Sequence, residues 1–527
     1  MAERPMRPPG GKVSRMWQGP STLEHGLDLI LRVMRAALMR TLGALVLVGC
    51  TQAFVNGAGA APRPSLALAA QGGVGALQGV EAFVNGAAPD LVAKIVSERT
   101  ALGGEIKAKN RQTGGSAVLE SAALRTVDSA GLVMDCVVRR RVGGFGRKFE
   151  ECEERATCDW PALGAPAGPE GGGSVDGKTA QVRLMEVACA LGLHGAAARL
   201  LDTRFPGGLG DAAALPKNLW LNNIPASKFV RRHMSDSVIA AVLEALCAPD
   251  APPTLSVSVK PPELDVEMDT YRVGTLLELV RSLAFSIVRE TGRRVKICVQ
   301  APMGEGIFAG MPLSLNGVRK LLEVMDWGED GDVLRADGYI RFGAISADDV
   351  DAKDDVFILI APQSIVGSSV VPLLEDMVNA ADGRPVITIN ANLDDIQSAQ
   401  GVMSYRGRDD RLKFAESWEE IYHFSTCVPI GRTFFPILGA VVRPSLRAPY
   451  ALYQRGEVAK DPTAKFKNSS ERAAAARAGD LDEVYRPVGC FSDMPDAKQI
   501  KQAFKEAATE DFKRQQAAAA AAAARGT

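Results

Sequence analysis

Five consecutive apolar residues, Val356-Phe357-Ile358-Leu359-Ile360, follow the acidic pair Asp354-Asp355. A half-buried strand alternates apolar and polar side chains, whereas an unbroken apolar run between turn signals suits a central strand covered on both faces. That one segment calls for strands on either side of it and cover above and below. The flanking sequence supplies both. Strands are expected at residues 255–259, Val295–Val299, 339–342, Val386–Ile389 and 421–424, with 439–442 pairing at an edge and 485–490 as a last strand. Apolar spacing predicts helices over 271–290, 315–325, 370–381 and 410–418, and another over 496–512. Gly292 stands just past the first of these, at a C-cap position. Strands alternating with helices imply an α/β fold, a mostly parallel sheet with helices on both faces and Rossmann-like layering, joined by right-handed crossovers.

This domain is expected over 251–506. A small helical segment precedes it at 181–250. There, 184–202 reads as one helix, and Ser227 can cap a second that carries Phe229, Val230, Met234, Val238, Val242 and Leu246 on one side. Residues 102–180 read as an irregular Gly-rich region and linker, and 507–527 as an Ala-rich tail of low complexity.

The first hundred residues read as a disordered leader. Arg35 and Arg40 precede a short apolar run over 42–50, and Thr51-Gln52-Ala53 gives a small-x-small exit, the three parts of a signal peptide over 1–53. Residues 54–101 are rich in Ala, Gly, Ser and Pro and poor in acids, which is transit-peptide-like. A signal peptide cut before Phe54 and followed by such a stretch resembles the bipartite presequence of algae with secondary plastids. It implies the chloroplast stroma or the stromal face of the thylakoid. The hexamer Ala53-Phe54-Val55-Asn56-Gly57-Ala58 recurs as Ala82-Phe83-Val84-Asn85-Gly86-Ala87, read as a duplicated leader rather than a structural repeat.

Composition excludes classes rather than naming one. Lys plus Arg is 61 against 62 for Asp plus Glu, a net charge of -1, so there is no general pull toward nucleic acid or anionic lipid. After residue 53 no stretch approaches the length of a membrane span. The segment 172–179 fits G-x-x-x-x-G-K-[ST], but Pro/Gly linker precedes it where a phosphate loop needs a strand, so it reads as a chance match. Arg139-Arg140-Arg141 and the Gly-rich stretch up to Lys148 form a short basic patch, read as a solvated loop. Cys152 and Cys158 lack partners at zinc spacing, so no metal site is assigned, and a local disulfide is the alternative. Of the four histidines, His25 lies in the leader and His194 and His233 lie in helices. His423 is read as structural within its strand, with an acid/base role as the alternative.

From about residue 217 to 504 the text resembles a plastid family whose domain is formally of unknown function, typified by the Low PSII Accumulation proteins. The matching runs include Pro262-Glu263-Leu264-Asp265, Glu267-Met268-Asp269-Thr270-Tyr271-Arg272, Met303-Gly304-Glu305-Gly306-Ile307-Phe308-Ala309-Gly310-Met311-Pro312-Leu313, Met325-Asp326-Trp327-Gly328, Ala361-Pro362-Gln363 and Arg406-Gly407-Arg408. The resemblance implies a stromal factor that helps a chlorophyll-binding core subunit such as CP43 enter photosystem II, in contact with the thylakoid insertase and with peripheral thylakoid contact. It supplies no catalytic residues to carry over, and no cofactor.

A non-enzymatic assembly factor is therefore the first expectation. The alternative is a small-molecule-binding or enzymatic α/β protein of the plastid stroma. In open α/β sheets ligands bind outside the carboxyl ends of the strands. The candidate crevice there comprises Met303, Gly304, Glu305, Gly306, Gln363, Ser364, Asn390 and Asn392, with Arg406 and Arg408 to hold an anion. A third reading gives residues 102–215 a protein-binding role.

Overall fold

The computed structural model describes residues 79–113, 117–128, 130–141, 149–163, 175–210, 214–304, 310–365, 368–394, 407–429, 435–461, 463–464, 466 and 468–525. Among them are thirteen α-helices and twelve strands in two sheets. The smaller sheet is an antiparallel meander of β1 (Ala117–Val127), β2 (Gly131–Arg141) and β3 (Phe149–Asp159). Helices α1 (Val80–Ala87), α2 (Pro89–Arg99) and α3 (Ala101–Thr113) lead into it. Val80, Val84, Leu91, Ile95 and Val96 are buried with Leu132 and Met134 of the meander in one apolar core. Fully buried Trp160 donates its indole N–H to the carbonyl of Asp128, closing the unit.

These elements correct the reading of the first third of the chain. The described residues within 102–180 are not an irregular linker, since a helix and three eleven-residue strands lie between 101 and 159. Ala, Ser and Glu in β1 have low strand propensity, and neighbours rather than sequence pattern hold it in the sheet. Residues 80–99, grouped above with the transit-like stretch, form buried helices, and the second copy of the hexamer lies inside α1. The signal segment and the first copy lie outside the described residues.

Helices α4 (Gly177–Ala190) and α5 (His194–Leu200) replace the single helix expected at 184–202, and Gly192 breaks the run at φ 71°. In α6 (Lys228–Cys247) the Ser227 hydroxyl accepts the Val230 N–H, as its cap position requires, and the expected stripe is buried apart from exposed Phe229.

The large sheet runs in the order β12-β11-β10-β9-β4-β8-β7-β5-β6. Its parallel part consists of β4 (Thr254–Lys260), β5 (Val295–Val299), β6 (Ile340–Ala344), β7 (Val356–Ile360), β8 (Val386–Ile389) and β9 (Glu419–Cys427). An antiparallel extension adds β10 (Gly439–Arg443), β11 (Tyr450–Ala459) and β12 (Leu481–Phe491). The fold is thus α/β with a mostly parallel sheet. β10 is interior, not an edge, because β11 pairs on its far side. The signal for β11 was obscured by charges such as Arg455, which bonds the fully buried Glu483 of β12. The helices of this domain are α7 (Val273–Thr291), α8 (Val318–Val324), α9 (Gly328–Ala336), α10 (Val371–Ala381), α11 (Arg408–Glu416), α12 (Ser469–Ala478) and α13 (Ala497–Arg525), the last carrying the Ala-rich tail. Gly292 ends α7 at φ 68°.

The two faces of this sheet differ. One face is a single apolar layer from β6 to β12, packed with residues of α6 and α7. The other carries two separate clusters. Cys298, Phe357, Leu359 and Val386 pack with Leu374 and Met377 of α10, while Val441, Leu452 and Phe491 pack with Ala503 and Phe504 of α13. β7 has no exposed residue, and Asp354 before it is fully buried, accepting from Arg341 with Lys296 3.5 Å from its other oxygen. Phe357→Asp is expected to unfold the domain, seen as loss of the cooperative thermal transition. A buried unpaired carboxylate costs several kcal/mol against a total stability of about 5–15 kcal/mol.

Candidate functional site

β5 leads to β6 on one side and β7 leads to β8 on the other, so their connections diverge and leave a switch point between the two carboxyl ends. The expected crevice residues do meet there in part. The side-chain amide of Gln300, just past β5, accepts the Gln363 N–H and donates to the Gln363 carbonyl, both at 2.8 Å. Gln363 also bridges Asn392, whose carbonyl accepts the Ser364 N–H at 3.2 Å. Asn390 adopts φ 51°, a left-handed conformation that asparagine tolerates, and its amide closes the ends of β8 and β4. Its oxygen accepts the Val259 N–H at 2.6 Å, and its nitrogen donates to the carbonyls of Val259 and Leu264 at 2.8 and 3.1 Å. Gln300 and Asn390 are therefore clamps that satisfy backbone groups where the ladder stops. Met303 is packed in the cluster beneath α10, Gly304 makes a turn at φ 85°, and Ser364 is buried. Arg408 opens α11 on the surface. Glu305, Gly306 and Arg406 lie outside the described residues.

A second polar feature lies between the two clusters of the far face, on β4 and β9. Ser256 and Glu420 pair in register, and the next pair is Val257 with Tyr422, so Ile421 is an extra residue in β9. This bulge returns Glu420 to the face that carries His423 and Ser425, opposite Ser258 and Lys260. The consequence is a hydrogen-bonded chain along one strand. His423 Nδ1 lies 3.0 Å from Glu420 Oε1, and Nε2 lies 2.9 Å from Ser425 Oγ. A carboxylate can only accept, so Nδ1 carries a proton toward Glu420, and in the neutral form of the ring Nε2 is the nitrogen that accepts from the Ser425 hydroxyl. Tyr450 donates to the other Glu420 oxygen at 2.5 Å, and its ring meets His423 edge-on. Burial pushes the Glu420 carboxyl upward, but hydrogen bonds from His423, Ser258 and Tyr450 outweigh it and hold the group below the ordinary carboxylate range. Burial, then the Glu420 charge, raises the Tyr450 phenol. Glu420, Ser256, Lys260, Thr388 and Asn392 line a cleft of about 450 Å³ beside this chain.

A carboxylate that orients an imidazole, whose other nitrogen faces a hydroxyl, is the arrangement that activates a nucleophile. Sequence reasoning passed over it because strict alternation sends Glu420 to the face opposite His423. Only the register against β4 reveals the inserted residue.

The remaining motifs have structural roles. Asp176 caps α4 by accepting the Thr179 N–H, Lys178 pairs with Glu244 at 2.6 Å, and a side chain at Gly177 would meet the Pro206 carbonyl at 2.3 Å. Residues 172–174 lie outside the described residues. Arg139 and Arg140 are not a free basic patch, because they pair with Glu120 and Glu154, and 142–148 lie outside the described residues. Cys152 and Cys158 sit six residues apart on extended β3, roughly 20 Å along the strand, too far for a disulfide. His194 stacks on Phe491 and its Nδ1 meets the Cys490 carbonyl at 2.8 Å. Among the described residues no cluster of His, Cys, Asp and Glu could hold a metal ion, and no helix is long and apolar enough to cross a membrane.

The two glutamines at the switch point separate clamp from surface. Gln300→Ala is expected to destabilise the domain by about 1–3 kcal/mol, since it orphans two backbone groups. Gln363→Ala keeps both of those bonds, which use its backbone, and is expected to cost well under half as much in a urea unfolding titration.

Residues 231–502 match the family described as "Domain of unknown function (DUF1995)". The match covers β4 to β12 and therefore both the switch point and the Glu420–His423–Ser425 chain. Spanning just over half of the sequence, it establishes that this chain belongs to the DUF1995 family.

Proposed function

We propose that this chain is a stromal auxiliary factor of the plastid that assists photosystem II assembly, by helping a chlorophyll-binding core subunit such as CP43 to enter the complex near the thylakoid insertase. The motif resemblance to the Low PSII Accumulation proteins supports this reading. The structural observation that carries it is an accumulation of exposed apolar side chains on the crossover between β5 and β6. Leu313 is 91% exposed, Val324 72%, Val333 57% and Leu321 41%. In α8, Val318 and Leu322 face the core while Leu321 and Val324 face outward, so the helix is apolar on two sides. Apolar surface left on a folded domain favours a protein or membrane partner.

Leu313→Glu, Leu321→Glu and Val324→Glu combined are expected to leave the fold intact, since exposed positions shift stability by only about 0.5 kcal/mol each. The same variant, affinity-purified from plastids, is expected to lose photosystem II core subunits and the insertase. Retention of both at wild-type levels would refute the proposal.

The Glu420–His423–Ser425 chain favours the alternative of a ligand-binding or enzymatic stromal protein. An activated serine is expected to react covalently with a fluorophosphonate, with labelling mapped to Ser425 by mass spectrometry and abolished in Ser425→Ala and His423→Ala. An unlabelled wild-type protein would mean the chain is structural.

A further inference from the structure

The two sheets end in four edge strands, and the chain closes three of these edges with its own side chains. On β1 the Asn85 amide exchanges two hydrogen bonds with the Leu124 backbone at 2.7 and 2.9 Å, and the Asn110 amide does the same for Ala117 at 2.7 and 2.8 Å. On β12, Asn218 exchanges backbone and side-chain bonds with Glu483, and the Cys490 carbonyl meets His194 Nδ1. On β6 the Asp349 carboxylate accepts the Ala344 N–H, and no residue of the strand is exposed. β3 is the exception. It pairs with β2 along its whole length, yet no described residue outside β2 makes a hydrogen bond to its backbone. An open edge of eleven residues is a template for a further strand, and native folds usually cover or shorten one.

The side chains of this edge restrict what can pair with it. β3 carries four glutamates and an aspartate against one arginine. Glu150, Glu151 and Glu153 are exposed. The nearby cations are already engaged. Arg139 and Arg140, in register with Glu151 and Glu150, bond Glu120 and Glu154 instead, and Arg155 bonds Asp135. A second copy of β3 would bring the same charge against this edge, and like charges on paired strands repel. Glu151 and Glu153 stand on one face, because successive side chains of a strand alternate. We infer that the β3 edge takes up an extended basic segment of another protein as a fourth strand, with Lys or Arg at alternate positions beside Glu151 and Glu153. The edge lies outside residues 231–502, so this surface is separate from the switch point, the exposed crossover and the Glu420–His423–Ser425 chain.

The test titrates the full chain with a blocked heptapeptide alternating Lys and Thr, by calorimetry, and follows hydrogen exchange by mass spectrometry. Binding is expected, with slowed exchange across 149–159. Two further peptides are N-methylated, one at the Lys amides and one at the Thr amides. Alternate amides of a strand point to opposite sides, so one of these is expected to bind like the parent and the other at least about tenfold more weakly. Glu151→Gln combined with Glu153→Gln, at exposed positions, is expected to weaken the parent peptide about tenfold. Failure of the wild-type protein to bind the parent would overturn the inference. So would equal binding of the two methylated peptides, which means charge attraction without strand pairing, or unchanged binding by the folded double variant. A free protein that sediments as a dimer with its β3 amides already protected would overturn it in favour of a second copy on this edge.

Discussion

β7 has no solvent face, and that single condition organises the domain around it. Its five residues are buried between the apolar layer shared with α6 and α7 and the cluster beneath α10. Backbone groups in such a strand have only neighbouring strands as partners, so β5 and β8 must flank it in parallel register. The requirement passes outward along the sheet. Where the ladder stops there is no water to take over, and side-chain amides do so instead. Gln300 closes the gap between β5 and β7, and Asn390 closes that between β8 and β4. The same demand at the other end places a fully buried Asp354 under Arg341 and Lys296.

The strand ends are thus occupied by the fold's own hydrogen bonding, although they are where this architecture ordinarily receives a ligand. Chemistry with spare capacity lies elsewhere. On the far face, two helices cover separate groups of strands, and β4 and β9 between them carry hydroxyls, a lysine, a glutamate and an imidazole in place of aliphatic side chains. On the near face, Glu263 is buried beside a mostly apolar hollow, with one carboxylate oxygen that has no hydrogen-bond partner among the described residues. Both places are polar exceptions in otherwise regular layers, and such local departures concentrate at working sites.

Much of the sheet was legible in the residues. β5, β7 and β8 have the expected limits because short apolar runs between Gly, Pro and acidic turns leave little freedom in their ends. The α7 stripe and its glycine cap were equally plain. Elements held by partners rather than by pattern were not. β11 is rich in charge that only pairing with β12 neutralises, and β1 is a strand of weak formers held by β2. α9, with acidic residues through its first turns, has little apolar signal of its own. For the crevice, the sequence identified the right loops, but it could not show that Asn390 is spent on Val259 and Leu264, or that Gln300 rather than Gln363 supplies the clamp. Glu263 stood in the text as part of a motif with no sign that half of its carboxylate would lack a partner.

The extra residue in β9 has a consequence for how this family can vary. Ile421 and Tyr422 both point into the core, which is how the strand absorbs an odd residue without losing its apolar face. A lineage that deleted one of them would still have a β9 able to pair with β4 along its length, since the remaining alternation is uninterrupted from His423 onward. Glu420 would then stand two residues before His423, and strict alternation would keep both on the same face, so the carboxylate would stay beside the imidazole. The loss of one codon there would thus remove the bulge and leave the chemistry: descendants on either side of such a deletion would share both the fold and the Glu420–His423–Ser425 face.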